Sequence, residues 1–217
     1  MKKNILPIAL LTLVVIFIAS CVKDRISTTG NVVTPPVNTS GDTLIHYWNC
    51  NEDTLVIMST PTKSIVPGAG FSYAGARYDT AQTGTTLNGV GTDSVSAVSP
   101  DAALRLRNPS GAFTMKLPTT GYKNIVLKYA VERTSKGAQT NTVTYTTDGT
   151  NYINTAIANT SVYSVDTVFN VVSFDFSSDA NVNNNPNFKV QINFSNATGT
   201  TTGNDRFDNF TVYGVKQ

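Results

Sequence analysis

The 217-residue chain carries 16 Lys+Arg against 14 Asp+Glu, and two of those lysines lie, with no acid, in residues 1–20, so 14 of each sign remain beyond them. A charge balance of that kind offers no basic stripe, and no nucleic acid is expected as a partner. His46 is the only histidine and Cys21 and Cys50 the only cysteines, which excludes a multi-bridge disulfide scaffold and a histidine-pair metal centre.

Lys2 and Lys3 precede an apolar run from Ile5 to Ile18. The run is shorter than the ~20 apolar residues of a spanning helix. A basic start, a short apolar core and small residues before a cut site form a secretory signal, here residues 1–20. The run ends in Ile18-Ala19-Ser20-Cys21, which resembles the lipobox of bacterial lipoproteins. The resemblance implies a diacylglyceryl thioether on Cys21, cleavage before it, and acylation of the new amino group by a palmitate-type chain. Several chains anchor far more firmly than one, because each buried CH₂ contributes about 0.8 kcal/mol. Val22, not an aspartate, follows the cysteine, so the implied address is the outer membrane. Val22-Lys23-Asp24 resembles a short surface-export signal, and the periplasmic and cell-surface faces both stay open.

Residues 21–43 continue as a Thr-, Ser-, Asn-, Pro- and Gly-rich segment with too few apolar groups to offset the entropy of ordering. It reads as a tether with a reach of roughly 25 Å. A single domain is expected over 44–217. Helical periodicity is nearly absent there, whereas period-two alternation recurs. Strands are expected at 44–50, 103–107, 112–116, 124–133, 169–176, 187–194 and 206–215. A hairpin over 140–152 turns at Asp148-Gly149. Residues 59–102, with several Gly and Pro, show few clear strands, and 177–187 reads as a polar loop. Phe188, Val190, Ile192 and Phe194 share one strand face, opposite Lys189, Gln191 and Asn193. About nine strands of this kind build an all-β, antiparallel β-sandwich. Leu127, Tyr129, Val190, Ile192 and Phe210 are expected in its core. Trp48 is placed inward with Leu44, His46 and Cys50, and Cys50 as a small buried hydrophobe.

"LIHYWNCNED", "ALRLRNPSGAF", "YAVERTSKGAQTNTVTYTTDGTNY" and "NDRFDNFTVYG" together resemble a jelly-roll module of secreted and surface bacterial proteins, distantly similar to carbohydrate-binding modules. Cys50 stands where such modules carry an aromatic residue. The lipobox implies the membrane as a partner, through the lipid anchor on Cys21, while the module resemblance implies a jelly-roll sandwich with polysaccharide or other surface proteins as partners. It requires no cofactor. In some jelly rolls calcium sits where the first and last strands meet, and the matching residues are Asn51, Glu52, Asp53, Asp205 and Asp208. The alternative for Asp208 is pairing with Arg206 or capping of backbone N–H groups.

Sugar recognition calls for ring faces beside hydrogen-bonding groups. "YAGARYD" supplies Tyr73, Arg77, Tyr78 and Asp79, and Tyr122, Tyr152 and Tyr163 are further loop tyrosines. The alternative is that such rings merely close the sandwich. No Gly-x-Ser-x-Gly elbow and no placed carboxylate pair is present, so no enzyme is expected. A glycan-binding envelope module and a structural or adhesive module without a small ligand both fit.

Overall fold

The computed structural model describes residues 41–91, 102–199 and 202–217. The lipobox-like Cys21 and most of the tether lie outside them. In chain order the elements are β1 (Thr43–Trp48), α1 (Thr54–Ser59), β2 (Lys63–Ser64), β3 (Gly70–Tyr73), β4 (Arg77–Ala81), β5 (Ala103–Arg107) and β6 (Ala112–Lys116). They continue as β7 (Tyr122–Arg133), β8 (Thr140–Thr146), β9 (Val162–Ser164), β10 (Asn170–Asp175), β11 (Lys189–Ser195) and β12 (Asn204–Lys216).

The strands form two antiparallel sheets, a β-sandwich of jelly-roll type. One sheet runs β10-β7-β12-β1-β2, with β5 also on β12 and β4 on β5; the other runs β3-β6-β11-β8-β9. Twelve strands replace the expected nine. The surplus comes largely from β2, β3 and β4 inside 59–81, which are two to five residues long; so short a strand shows almost no periodicity. The expected hairpin keeps only one bridge, Tyr145 to Ile153. Its second arm is lost because Asp148 Oδ1 accepts from the Thr150 and Asn151 N–H groups, curling the chain around the carboxylate. The loop at 177–187 holds a 3-10 turn, Ala180–Val182, capped by Asp179.

Leu127, Tyr129, Val190, Ile192 and Phe210 are all fully buried, as their alternation requires. Trp48 stacks on Phe71 at 4.2 Å. A register shift between Leu44 and His46 resets the alternation of β1, so Ile45, rather than Leu44, is its first core residue.

β12 exchanges neighbours along its length. Asn204–Phe207 pair with β5, and Phe210–Gly214 pair with β1, on the same side. Between them Asp208 and Asn209 form an irregularity against β7, with Asn209 in the left-handed region at φ 50°. Asparagine tolerates that conformation better than most residues. The two side chains hold the loop 83–90 over the gap. Asp208 Oδ2 accepts from Thr85 N–H at 2.8 Å, and Asn209 Nδ2 donates to the carbonyls of Thr85 and Leu87 at 2.6 and 3.1 Å.

One carboxylate is enclosed in the core. Asp205 is fully buried, and its Oδ1 accepts from Ala138 N–H at 2.9 Å. The preceding residue must be glycine, since a Cβ on Gly137 would stand 2.5 Å from that oxygen. Asp205 Oδ2 and the Oδ1 of neighbouring Asn141 have no partner. Burial pushes the Asp205 carboxyl up to about 7, against the opposing pull of Ala138 N–H, Asn141 and Arg133. Tyr163 and Tyr73 also face it electrostatically.

The folded state therefore keeps a proton that the unfolded chain has lost between roughly pH 4 and 7, and stability falls as pH rises through that window. The full effect is on the order of a few kcal/mol. Buried His46, lowered to about 4 mainly by desolvation, acts in the opposite sense over part of the same range. The difference between wild type and Asp205→Asn isolates the carboxyl. Thermal melts from pH 4 to 8 should show wild type losing stability relative to Asp205→Asn up to about pH 7; parallel curves would refute the protonated carboxyl.

Candidate functional site

The alternation of β4 divides the "YAGARYD" quartet. Tyr78 pairs with buried Leu106, and Tyr73 shares its face of β3 with buried Phe71. Both tyrosines turn inward, half-buried, and pack against the core. Their rings meet edge to face at 6.4 Å, and Tyr73 also meets Phe194 at 6.3 Å. Tyr73 Oη accepts from Ser110 N–H at 3.1 Å. The pair closes one end of the sandwich instead of forming an open platform. Arg77 and Asp79 alternate to the outside. There Asp79 accepts from Arg105 Nε and Arg107 Nε, each at 2.6 Å. Burial works to raise the Asp79 carboxyl, but those two hydrogen bonds outweigh it and hold the group below the usual carboxylate range.

The carboxylates considered for calcium are dispersed. Asp53 caps α1 by accepting from Leu55 N–H at 2.9 Å, and Glu52 is exposed. Asn51 Oδ1 accepts from Ala102 N–H. Asp205 faces inward, whereas Asp208 lies on the other face of β12 and accepts backbone N–H groups from Thr85 and Asn209. Calcium needs six to eight converging oxygens; among the described residues no group of three or more His, Cys, Asp or Glu side chains could hold a metal ion. The residues do not fit the ion.

His46 and Cys50 do not act together. His46 Nδ1 meets Ser64 Oγ at 2.8 Å and Nε2 meets the Pro118 carbonyl at 2.9 Å. Cys50 is buried, and desolvation pushes its thiol up, away from the reactive thiolate.

The outward face of the five-stranded sheet is the open surface best suited to a neutral ligand. Its strands place Ser72, Thr114, Gln191 and Thr144 in one cross-strand row. Ala112, Asn193, Thr142 and Val162 form the next. None of β3, β6, β8, β9 or β11 contains an acid. Gln191 Nε2 donates to Thr114 Oγ1 at 3.2 Å, and Thr144 Oγ1 has no partner. Tyr152, in the loop after β8, is half-buried near Thr114 of β6. Burial raises its phenol above the ordinary tyrosine value.

The other loop tyrosines differ. Tyr163 lies in β9 with its hydroxyl on that of Tyr129 at 2.8 Å, and half-buried Tyr122 opens β7 against the core. The polar half of the β11 alternation was visible in sequence; the lateral order that sets it beside β6 and β8 was not.

No protein-family model matches the chain, and no curated protein matches it in sequence. Solved structures similar to it include the K1 cleaved adhesin domain of Lys-gingipain from Porphyromonas gingivalis W83, at 8% identity over 78% of this chain and 97% of that one, with a TM-score of 0.42. A family 11 carbohydrate-binding module from Clostridium thermocellum, in complex with a β-1,3-1,4-mixed-linked tetrasaccharide, matches at 10% identity over 82% and 98%, with a TM-score of 0.41. Domain 4 of an extracellular arabinanase from Geobacillus stearothermophilus, in complex with arabinotriose, matches at 10% identity over 81% and 94%, with a TM-score of 0.41.

Proposed function

We propose that the chain is a non-catalytic envelope lipoprotein module that holds neutral polysaccharide on the outward face of its five-stranded sheet. The observation that carries this reading is the cross-strand row Ser72, Thr114, Gln191 and Thr144 on strands without acids, with Tyr152 near Thr114. A sugar offers C–H patches to a ring face and hydroxyls to Thr, Asn and Gln side chains, each of which can donate and accept. A neutral polymer meets no carboxylate on these strands. Tyr73 and Tyr78 serve the fold in this reading.

The lipobox-like Ile18-Ala19-Ser20-Cys21 supports an anchor on Cys21, a tether over 21–43 and an outer-membrane address. Labelling cells with a radioactive palmitate should mark the wild-type chain, while Cys21→Ser should stay unlabelled and uncleaved; equal labelling of the two would remove the anchor from the account.

Affinity electrophoresis of the full chain in a polyoxyethylene detergent, which carries no sugar, tests the binding face. A panel of neutral β-glucans, xylan, arabinan and galactan should include at least one polymer that retards wild type. Tyr152→Ala should weaken that retardation about tenfold, or about 1.4 kcal/mol, at an unchanged melting temperature. Migration unaffected by every polymer would leave a structural or adhesive module as the better account.

A further inference from the structure

The outward face of the other sheet gathers more cations than anions. Strand register sets Arg77 directly opposite Arg107 and Arg105 directly opposite Arg206, and it also sets Asp79 opposite Arg105 and Glu132 opposite Arg206. Like charges directly opposed on antiparallel strands are destabilising. Among the described residues, two carboxylates lie within ion-pair distance of the four guanidiniums. Asp79 takes Arg105 and Arg107 at 2.6 Å each with Arg77 at 3.8 Å, and Glu132 takes Arg206 Nη1 at 2.7 Å.

Asp79 meets Arg105 and Arg107 through Nε, one oxygen each. The paired Nη donors of both forks stay outside that contact. Arg206 Nε is buried and without a partner. The side chains of Arg77, Arg107 and Arg105 are 68%, 33% and 21% exposed, so a ligand reaches Arg77 and Arg107 first and Arg105 along its open edge. Local conflicts of this kind gather at functional sites.

We infer that this face is a second binding site, for an oxyanion carried on an acidic polysaccharide, gripped by the free edges of Arg105 and Arg107 with Arg77 beside them. Guanidinium forks match planar carboxylates and sulfate groups bidentately. Asp79 and Glu132 interrupt the patch and repel a continuous phosphate backbone, whereas an acidic polysaccharide can set its charged groups one per sugar. The site is independent of the neutral face, because its residues stand on the opposite sheet.

The test uses the full chain in the same detergent, with polygalacturonate, dextran sulfate, neutral dextran and poly(U), at low and high salt. At low salt one or both acidic polysaccharides should bind at least about tenfold more tightly than dextran, and salt should weaken them. Preference between the two separates carboxylate from sulfate. R105Q/R107Q should lose about tenfold in affinity, while Tyr152→Ala should keep it. Asp79→Asn removes the competing carboxylate and leaves every arginine, so it should bind the acidic polymer severalfold more tightly. That arm decides the matter if R105Q/R107Q fails to fold. Wild-type affinity in R105Q/R107Q, unchanged or weaker binding by Asp79→Asn, no preference over dextran, or tightest binding to poly(U) would each overturn the inference.

Discussion

β12 must serve three neighbours, and the break at Asp208-Asn209 is what allows it. β7 runs along one side throughout, while β5 and then β1 occupy the other. Where one partner leaves and the next arrives, backbone groups lose their ladder bonds, and a buried unpaired group is costly. At Asn209 the backbone N–H donates to Asp208 Oδ1 at 2.8 Å and the carbonyl accepts from Asn88 Nδ2 at 2.6 Å, while the Asp208 and Asn209 side chains hold the loop 83–90. Tyr47 adds its hydroxyl, donated to Asn209 Oδ1 at 2.8 Å. The Asp-Asn motif of the last strand thus belongs to architecture. The same break lets Phe207 and Phe210, three apart in sequence, both face the core, whereas ordinary alternation before it turns Asp205 and Asp208 to opposite faces.

The inner faces are committed to packing, the proposed binding falls to the outer faces, and the two sheets differ there in chemistry. The five-stranded sheet presents hydroxyls, amides and the ammonium groups of Lys116 and Lys189 across strands without acids, with Tyr152 nearby. The seven-stranded sheet presents arginines sharing too few carboxylates. A polysaccharide with neutral and charged segments could touch both without any catalytic group. His46 and Cys50, the one pairing that could have suggested chemistry, are engaged in holding β1 in place.

The long strands were legible because their alternation is strict. β7, β8, β11 and β12 and the core residues Leu127, Tyr129, Val190, Ile192 and Phe210 follow directly from period two. β2, β3 and β4 were not legible, being short and separated by Gly and Pro. The tyrosines show the limit most plainly. Tyr73, Tyr78, Tyr152 and Tyr163 look alike in sequence, all beside turns. Tyr78 turns inward because Leu106 is its cross-strand partner, and Tyr163 because it reaches Tyr129. Tyr152 lies outside because its loop leaves the edge of β8. Those differences are set by pairings between distant segments, which no local pattern encodes.

The central claim is that ligand lands on a sheet face and not on the "YAGARYD" segment. Amide NMR shifts of the isotopically labelled full chain, followed while a neutral oligosaccharide cut from a binding polymer is added, place the ligand directly. The account predicts saturable shifts gathered at Thr114, Thr144, Tyr152 and Gln191, with Tyr73 to Asp79 unmoved. Shifts centred on Tyr73 to Asp79, with Tyr152 and Gln191 silent, would contradict it.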